Sequence, residues 1–308
     1  MALDTAKATV ILRDLTAKFD SAAAAANPFY PSICTIAPSD GQDEKYGWLG
    51  GMPGTREWLG DRHFNELRAA NYTLVNKTWE NSLLISKENL EDDRMNMYGP
   101  LLQDLASEAT HHPDDLLFTT IVAGESTACF DTQFFYDTDH SWGDSGTQDN
   151  DLTASATDTA NVTAAEFKTA FHAARRTMME YKNDQGKLLN RPTVTGLGDL
   201  QVLVPPELEV PAHEAIRSTL LGGGDTNIVM EQNDIQIVVS PYLTSATKWY
   251  LNHTGGAMKP FVFQARRPLA RQMKGLTDEE TKDVKFMTSA RYNVGYLAWW
   301  KSVLTTFT

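Results

Sequence analysis

Cysteine is almost missing from this chain: Cys34 and Cys129 are the two among 308 residues. That is too few for a disulfide scaffold, and the separation lacks metal-ligand spacing, so both read as buried small hydrophobes in a reducing compartment. Long apolar runs are missing too. The opening MALDTAKATVILRDLTAKF is interrupted by Arg13, Asp14 and Lys18, which excludes a signal-peptide core and a membrane span and points to cytoplasmic synthesis. Positive charge is scarce, with 27 Lys and Arg against 40 Asp and Glu and a net charge of −13. A surface that wraps nucleic acid needs clustered cations, and only Arg266, Arg267 and Arg271 form a cluster. Catalytic signatures are absent as well. There is no G-x-S-x-G elbow and no H-E-x-x-H pair, and Gly222-Gly223-Gly224-Asp225 lacks the Lys-Ser or Lys-Thr of a phosphate loop.

What remains is an ordinary globular composition, 42% hydrophobic and 22% charged, able to bury a sizeable core in one large or two interlocked domains. Residues 4–26 read as an amphipathic helix with Ile11, Leu15 and Phe19 on one stripe, stopped by Asn27-Pro28. From Asn71 the pattern is strand-like through Ile85, and the weakly cored stretch from Trp48 to Arg62 together with Tyr72–Ser86 suggests a long two-stranded excursion that needs a neighbour. Helical signals follow. Asn89 can cap, Glu91, Asp92 and Asp93 suit a first turn, and Leu101, Leu105 and Ala109 share a face. Gly99-Pro100 predicts a kink or restart, and His111-His112-Pro113 a helix end, with the histidines facing the negative pole of the helix. Leu116–Ala123 fits either helix or buried strand.

Residues 143–163 read as a polar loop, and Thr163-Ala164-Ala165-Glu166 as a capping box opening a helix whose buried face is Phe167, Phe171, Ala174, Met178 and Tyr181. A strand at Leu200–Val204, a helix at Ala212–Leu221 and strands at Ile235–Val239, Lys248–Asn252 and Phe261–Ala265 follow. Val284, Phe286, Ala290, Tyr292, Val294 and Tyr296 then recur at even spacing, with polar residues between. One face of that strand must be buried and the other solvated, so the fold class is α+β, with the long helix laid across a late-sequence sheet.

Asp131, Asp137, Asp139 and His140 make the one cluster with metal-ligand chemistry. Its spacing is not that of an EF-hand, and Phe134, Phe135 and Tyr136 suggest a packed turn with solvated acids. The competing functional reading is a metal-dependent hydrolase using Asp137, Asp139 and His140. The favoured reading assigns no catalytic, cofactor-binding or metal residue.

The segments REWLGDRHFNELRAANYTLVNKTWENSLLISKENLEDDRMNMYGP, HHPDDLL and CFDTQFFYDTDHSW, in that order, resemble the major head subunit family of Mu-like phages and prophages. The likeness runs from about Tyr30 to the terminal ARYNVGYLAWWKSVLTTFT. It implies an HK97-like capsid fold: an N-terminal arm at 1–45, an extended β-hairpin loop at 46–88, a peripheral domain at 89–160 and 246–308 with a spine helix at Leu90–Thr110, and an axial domain at 161–245. It also implies self-assembly into hexamers and pentamers of an icosahedral shell around double-stranded DNA held without sequence-specific contacts. A separate scaffolding protein, a portal and a decoration protein would be further partners, with no cofactor and no membrane. The location would be the virion capsid, assembled in the bacterial cytoplasm. Arg56, Glu57, Trp58, Arg62 and Trp79 are the expected intersubunit contacts, because large aromatics and alternating charges suit surfaces that neighbours cover.

Overall fold

The computed structural model describes residues 5–49, 69–86, 88, 95–190, 198–217, 235–274 and 283–308. In chain order the elements begin with α1 (Thr5–Ala25), α2 (Tyr30–Ile33), β1 (Cys34–Pro38), β2 (Asp43–Leu49), β3 (Ala69–Val75) and β4 (Lys77–Ile85). Then come α3 (Met95–Val122), β5 (Asp151–Ala154), α4 (Ala164–Glu180), β6 (Leu200–Val204), α5 (Glu209–Arg217) and β7 (Ile235–Val239). Four strands finish the chain: β8 (Lys248–His253), β9 (Phe261–Lys274), β10 (Val284–Tyr296) and β11 (Ser302–Phe307). None of the described helices is long and apolar enough to cross a membrane.

A four-stranded sheet of order β1-β9-β10-β4 carries the alternating strand at its centre. Every even position of β10 from Val284 to Tyr296 is buried, as its periodicity requires. The cover is helical. Leu15 and Phe19 of α1 and Tyr98, Leu102 and Ala106 of α3 form one apolar cluster with Ile85, Val284 and Phe286. The Ile11 side chain lies outside the described residues. Burying each Leu, Ile, Val or Phe side chain of this cluster stabilises the folded chain by roughly 1.5–3 kcal/mol before the entropy of ordering is charged against it. Pro268 stands inside β9 where the register to β10 slips between Ser289 and Arg291, and where β1 no longer pairs, so its missing N–H breaks no ladder.

β2 and β3 pair antiparallel from Asp43↔Val75 to Leu49↔Ala69 as a two-stranded ribbon. The sequence pattern extends the excursion to Ser86, but the ribbon stops at Val75 and β4 joins the four-stranded sheet. Asn76 makes the switch: its buried amide donates to Ser39 Oγ at 2.7 Å and Gly41 O at 3.1 Å. At the ribbon's root, a Cβ on Gly295 would approach the Leu74 side chain to 3.0 Å, which is why β3 can lie so close over β10.

α3 rules out a restart at Gly99-Pro100 and a helix end at His111-His112-Pro113: it runs without interruption from Met95 to Val122 through both Pro100 and Pro113. Both histidines sit inside the helix, not at its negative pole. Burial outweighs the lost hydrogen bond, because Leu117, Phe118 and Ile121 beyond Pro113 are all core residues. Side chains also support the backbone here: Thr110 Oγ1 donates to Ala106 O at 2.7 Å, and His111 Nδ1 lies 2.9 Å from Ser107 O. Leu116–Val122 is therefore helix.

A five-stranded sheet of order β5-β11-β8-β6-β7 forms the second layer. β5 lies within the stretch read as loop; its backbone is extended by parallel pairing with β11, from Asp151↔Leu304 to Ala154↔Phe307, which local sequence does not encode. The sheet joins strands from both sides of the expected boundaries at 160/161 and 245/246. Over it lies α4, with Phe167, Phe171, Ala174 and Met178 buried as their spacing requires and Tyr181 at the C-cap. α5 starts three residues earlier than expected, and residues 218–224, including the glycine run, lie outside the described set.

The capping box of α4 is complete: Glu166 N–H donates to Thr163 Oγ1 at 3.3 Å, and the Glu166 carboxylate accepts Thr163 N–H at 2.9 Å and Thr157 N–H at 2.7 Å. The Thr163 and Thr157 backbone amides, aided by both hydroxyls, hold the Glu166 carboxyl down at about 2, below its ordinary 4.5. Because the folded value lies below the free one, this stabilisation is present above pH 4.5 and lost as pH falls toward 2. Acid titration of unfolding should show that loss, and Glu166→Gln should flatten it. Thr163→Ala should cost about 1 kcal/mol in urea denaturation.

Candidate assembly surfaces

The seam between α3 and the four-stranded sheet gathers several of the sequence-singled residues. Trp79, half-buried on β4, packs its ring 4.5 Å from His112 of α3 and donates Nε1–H to Tyr292 O at 3.1 Å. His112 Nδ1 lies 2.8 Å from the Tyr292 hydroxyl. Trp79 thus serves the chain's own helix–sheet contact. Arg56, Glu57, Trp58 and Arg62 lie outside the described residues.

Asp114, one turn on from His111, tethers the amino-terminal segment. Its carboxylate accepts Phe29 N–H at 2.8 Å and Tyr30 N–H at 2.7 Å, satisfying donors at the start of α2 that lack intrahelical partners. Burial pushes this carboxyl up despite the two amides that favour its charge. Nothing in the sequence pattern marked Asp114 for this work, since its partners lie 84 and 85 residues away.

Between α1, α3 and β9 runs a groove of about 810 Å3, with Phe19, Tyr30, Pro113 and Phe263 in its lining and Arg266, Arg267 and Arg271 along it. The basic cluster is partly answered within the chain. Arg271 Nε donates to Asp20 Oδ1 at 2.6 Å, which holds the Asp20 carboxyl below its usual range, and Arg266 Nη1 donates to Ser39 O at 3.2 Å. Such exposed pairs fix geometry more than they stabilise.

The segment from Cys129 to Asn150 has little regular structure and is held by polar contacts. Asn150, fully buried, is its hub: Nδ2 donates to Phe135 O at 2.8 Å, Ser302 O at 3.2 Å and Trp299 O at 3.3 Å. Its Oδ1 accepts Asp137 N–H at 2.9 Å and faces His140 Nε2 at 3.2 Å. The His140 ring lies flat against Trp299, centroids 4.0 Å apart. His140 Nδ1 meets Asp131 Oδ2 at 2.7 Å, and the Cys129 thiol donates to Asp131 Oδ1 at 2.8 Å.

This geometry dismantles the constellation Asp137, Asp139 and His140. Asp137 accepts backbone amides of Phe134 and Thr138, Asp139 is exposed and bonded to the Gln133 side chain at 2.8 Å, and His140 is turned inward. Asp131, expected to be solvated, is instead buried as the link between thiol and imidazole. Cys129, Asp131 and His140 do bring potential ligand atoms within 4.8 Å of one another. However, each carboxylate oxygen is already committed to a different neighbour, and burial together with Asp131 pushes the Cys129 thiol up, away from the thiolate that a metal or a nucleophilic role needs. The trio braces the segment, and Cys34 is likewise a buried thiol, pushed up by burial.

Asp114→Ala should destabilise the chain by about 1–3 kcal/mol, because two part-buried amides lose a charged acceptor. Hydrogen exchange should accelerate at the Phe29 and Tyr30 amides in particular. Asp139→Ala should fall within about 0.5 kcal/mol of the parent in the same urea titration.

The model of the family described as "Mu-like prophage major head subunit gpT" matches residues 9–172, 160–243 and 244–306. The Mu-like prophage FluMu major head subunit of Haemophilus influenzae is 38% identical over 138 residues, 44% of this chain and 45% of that protein. The major capsid protein of Escherichia phage Mu is 35% identical over 111 residues, 36% of each chain. These aligned stretches span less than half of either relative. Among solved structures, the procapsid of bacteriophage JBD30 aligns with 99% of this chain and 76% of its own, with a TM-score of 0.57 and 24% identity. The architecture is therefore the α+β, HK97-like fold of phage major capsid proteins. With the family model matching nearly the whole length, on top of the spine helix, the alternating strand and the ribbon, the chain belongs to the Mu-like prophage major head subunit gpT family.

Proposed function

We propose that this chain is the structural head subunit of a tailed bacteriophage, assembling with copies of itself into hexamers and pentamers of an icosahedral shell around double-stranded DNA, and that it performs no catalysis. The observation that carries this reading is the β2–β3 ribbon. It is a two-stranded sheet without a third strand among the described residues; its root packs on the chain's own core through Tyr46, Tyr72 and Leu74, and the part beyond them is marginal until something covers it. A neighbouring subunit supplies that cover in a shell. Family membership supplies the rest of the support.

In this proposal residues 1–45 form the arm and 46–88 the extended loop. Residues 89–160 and 246–308 form the peripheral domain and 161–245 the axial domain, with the five-stranded sheet shared between these last two. Arg56, Glu57, Trp58, Arg62 and the half-exposed edge of Trp79 meet adjacent copies. A separate scaffolding protein, a portal and a decoration protein are the further partners, and the site of action is the virion, after assembly in the host cytoplasm.

Expression alone and with the proposed scaffolding protein, followed by sedimentation and electron microscopy, tests the reading. Closed shells are the expected product, and a species that stays monomeric under every assembly condition contradicts it. Trp58→Ala should reduce shell yield at least about tenfold, the scale of an interface anchor worth more than 1.4 kcal/mol, while leaving thermal unfolding of the free subunit unchanged.

A further inference from the structure

The groove of about 810 Å3 between α1, α3 and β9 is left unfilled by the described chain. Its floor is a part of the four-stranded sheet that the two helices do not close. They cover Ile85, Val284 and Phe286, whereas Ile36 of the edge strand β1, in register with Phe263, stays 55% exposed. From Phe263 to Leu269, which also lines the groove, is six positions of β9, about 20 Å of strand and the length of a helix of about 13 residues. Small side chains, Ala23 of α1 and Ala109 of α3, line the walls and leave room for a backbone. The charge along the groove is lopsided. Three arginines and one carboxylate, Asp20, are the charged residues of its lining. Arg271 takes up Asp20, Arg266 donates to Ser39 O and lies 3.7 Å from Asp40 Oδ1, and the exposed Arg267 reaches the uncharged Ser289 Oγ at 3.4 Å.

The local sign is thus opposite to that of the whole chain, whose net charge is −13, and it coincides with an exposed apolar floor. We infer that the groove is a docking site for an amphipathic helix of a different protein, with its apolar side on Ile36 and Leu269 and carboxylates along the edge that meets Arg267. Two walls of the groove are already helices lying on this sheet, so a third helix beside them extends the layer that the fold has begun. Its source is outside the chain. Among the described residues, α1, α3, α4 and α5 all spend their apolar residues inside the fold, and none has a second apolar stripe to offer. Nucleic acid fits the groove less well, because Asp20 repels phosphate and the apolar floor at Ile36 gives a phosphate backbone nothing to bind. Carboxylates on a helix edge answer the arginines and set the direction in which the helix lies, while the apolar contact supplies most of the affinity. This docking does not depend on shell formation, so either can fail while the other stands.

Fluorescence anisotropy of the full-length free subunit with a labelled helical peptide of Leu, Ala and Glu, leucines on one face and glutamates beside them, provides the test. The same peptide with Lys in place of Glu and a labelled oligothymidylate serve as comparison probes. The Glu peptide should bind at least about tenfold more tightly than either, and a photoreactive leucine in it should link to residues lining the groove. Arg267→Glu and, separately, Ile36→Asp should each weaken that binding at least about tenfold, with thermal unfolding unchanged because both side chains are exposed. A Glu peptide that does not bind, or whose binding neither variant weakens, overturns the inference. Equal or tighter binding of the Lys peptide overturns the charge assignment and the inference with it, and tighter binding of the oligothymidylate assigns the groove to nucleic acid instead. Self-association of the free subunit that Ile36→Asp abolishes and the Glu peptide does not compete away assigns the groove to a second copy, and likewise overturns the inference.

Discussion

The buried face of β10 is the constraint on which the rest of the structure depends. A strand with every even position apolar or buried cannot stand in water, and one helix cannot cover its length. α1 and α3 together close over its first half around Phe286, and the aromatic residues Tyr292 and Tyr296 carry the core onward into the second layer. Everything tethered to α3 follows from that. Asp114 draws the Phe29–Tyr30 amides onto the helix, His112 meets Trp79 and Tyr292, and the helix delivers the chain to the segment that Asn150 pins beneath Trp299 and Ser302.

The parts that were legible in the sequence are those where one local pattern decides the outcome. Even spacing from Val284 to Tyr296 fixes a face, and Thr163 with Glu166 fixes a helix start, because both signals act over a few residues. The parts that were not legible depend on distant partners. Pro113 reads as a stop until the burial of Leu117 and Ile121 is known, and β5 reads as loop until β11, near the carboxyl end, pairs with it. Asp131 reads as a surface acid because its hydrogen-bond partners, Cys129 and His140, could as well have pointed elsewhere. The spacing of Asp137, Asp139 and His140 suggested convergence, yet backbone geometry in an irregular segment sends each in a different direction. Asn150, the hub, gave no signal, since an isolated asparagine in a polar stretch is ordinary.

The described chain is well cored yet leaves surfaces whose physical demands are not met within it. Among the described residues the ribbon has two strands, packed on the core only at its root, and the groove beside α1 and α3 is apolar with arginines along it. A subunit that acts alone would be expected to settle such demands internally. A subunit that repeats itself many times can leave them to its neighbours, with each contact weak and the sum strong.

Hydrogen exchange of the ribbon amides, residues 43–49 and 69–75, compared between free subunits and assembled shells, addresses most directly the claim that assembly completes this fold. Fast exchange in the free subunit and strong protection in the shell is the result the account requires. Equal exchange in both states would mean that the ribbon gains nothing from its neighbours, and would contradict it.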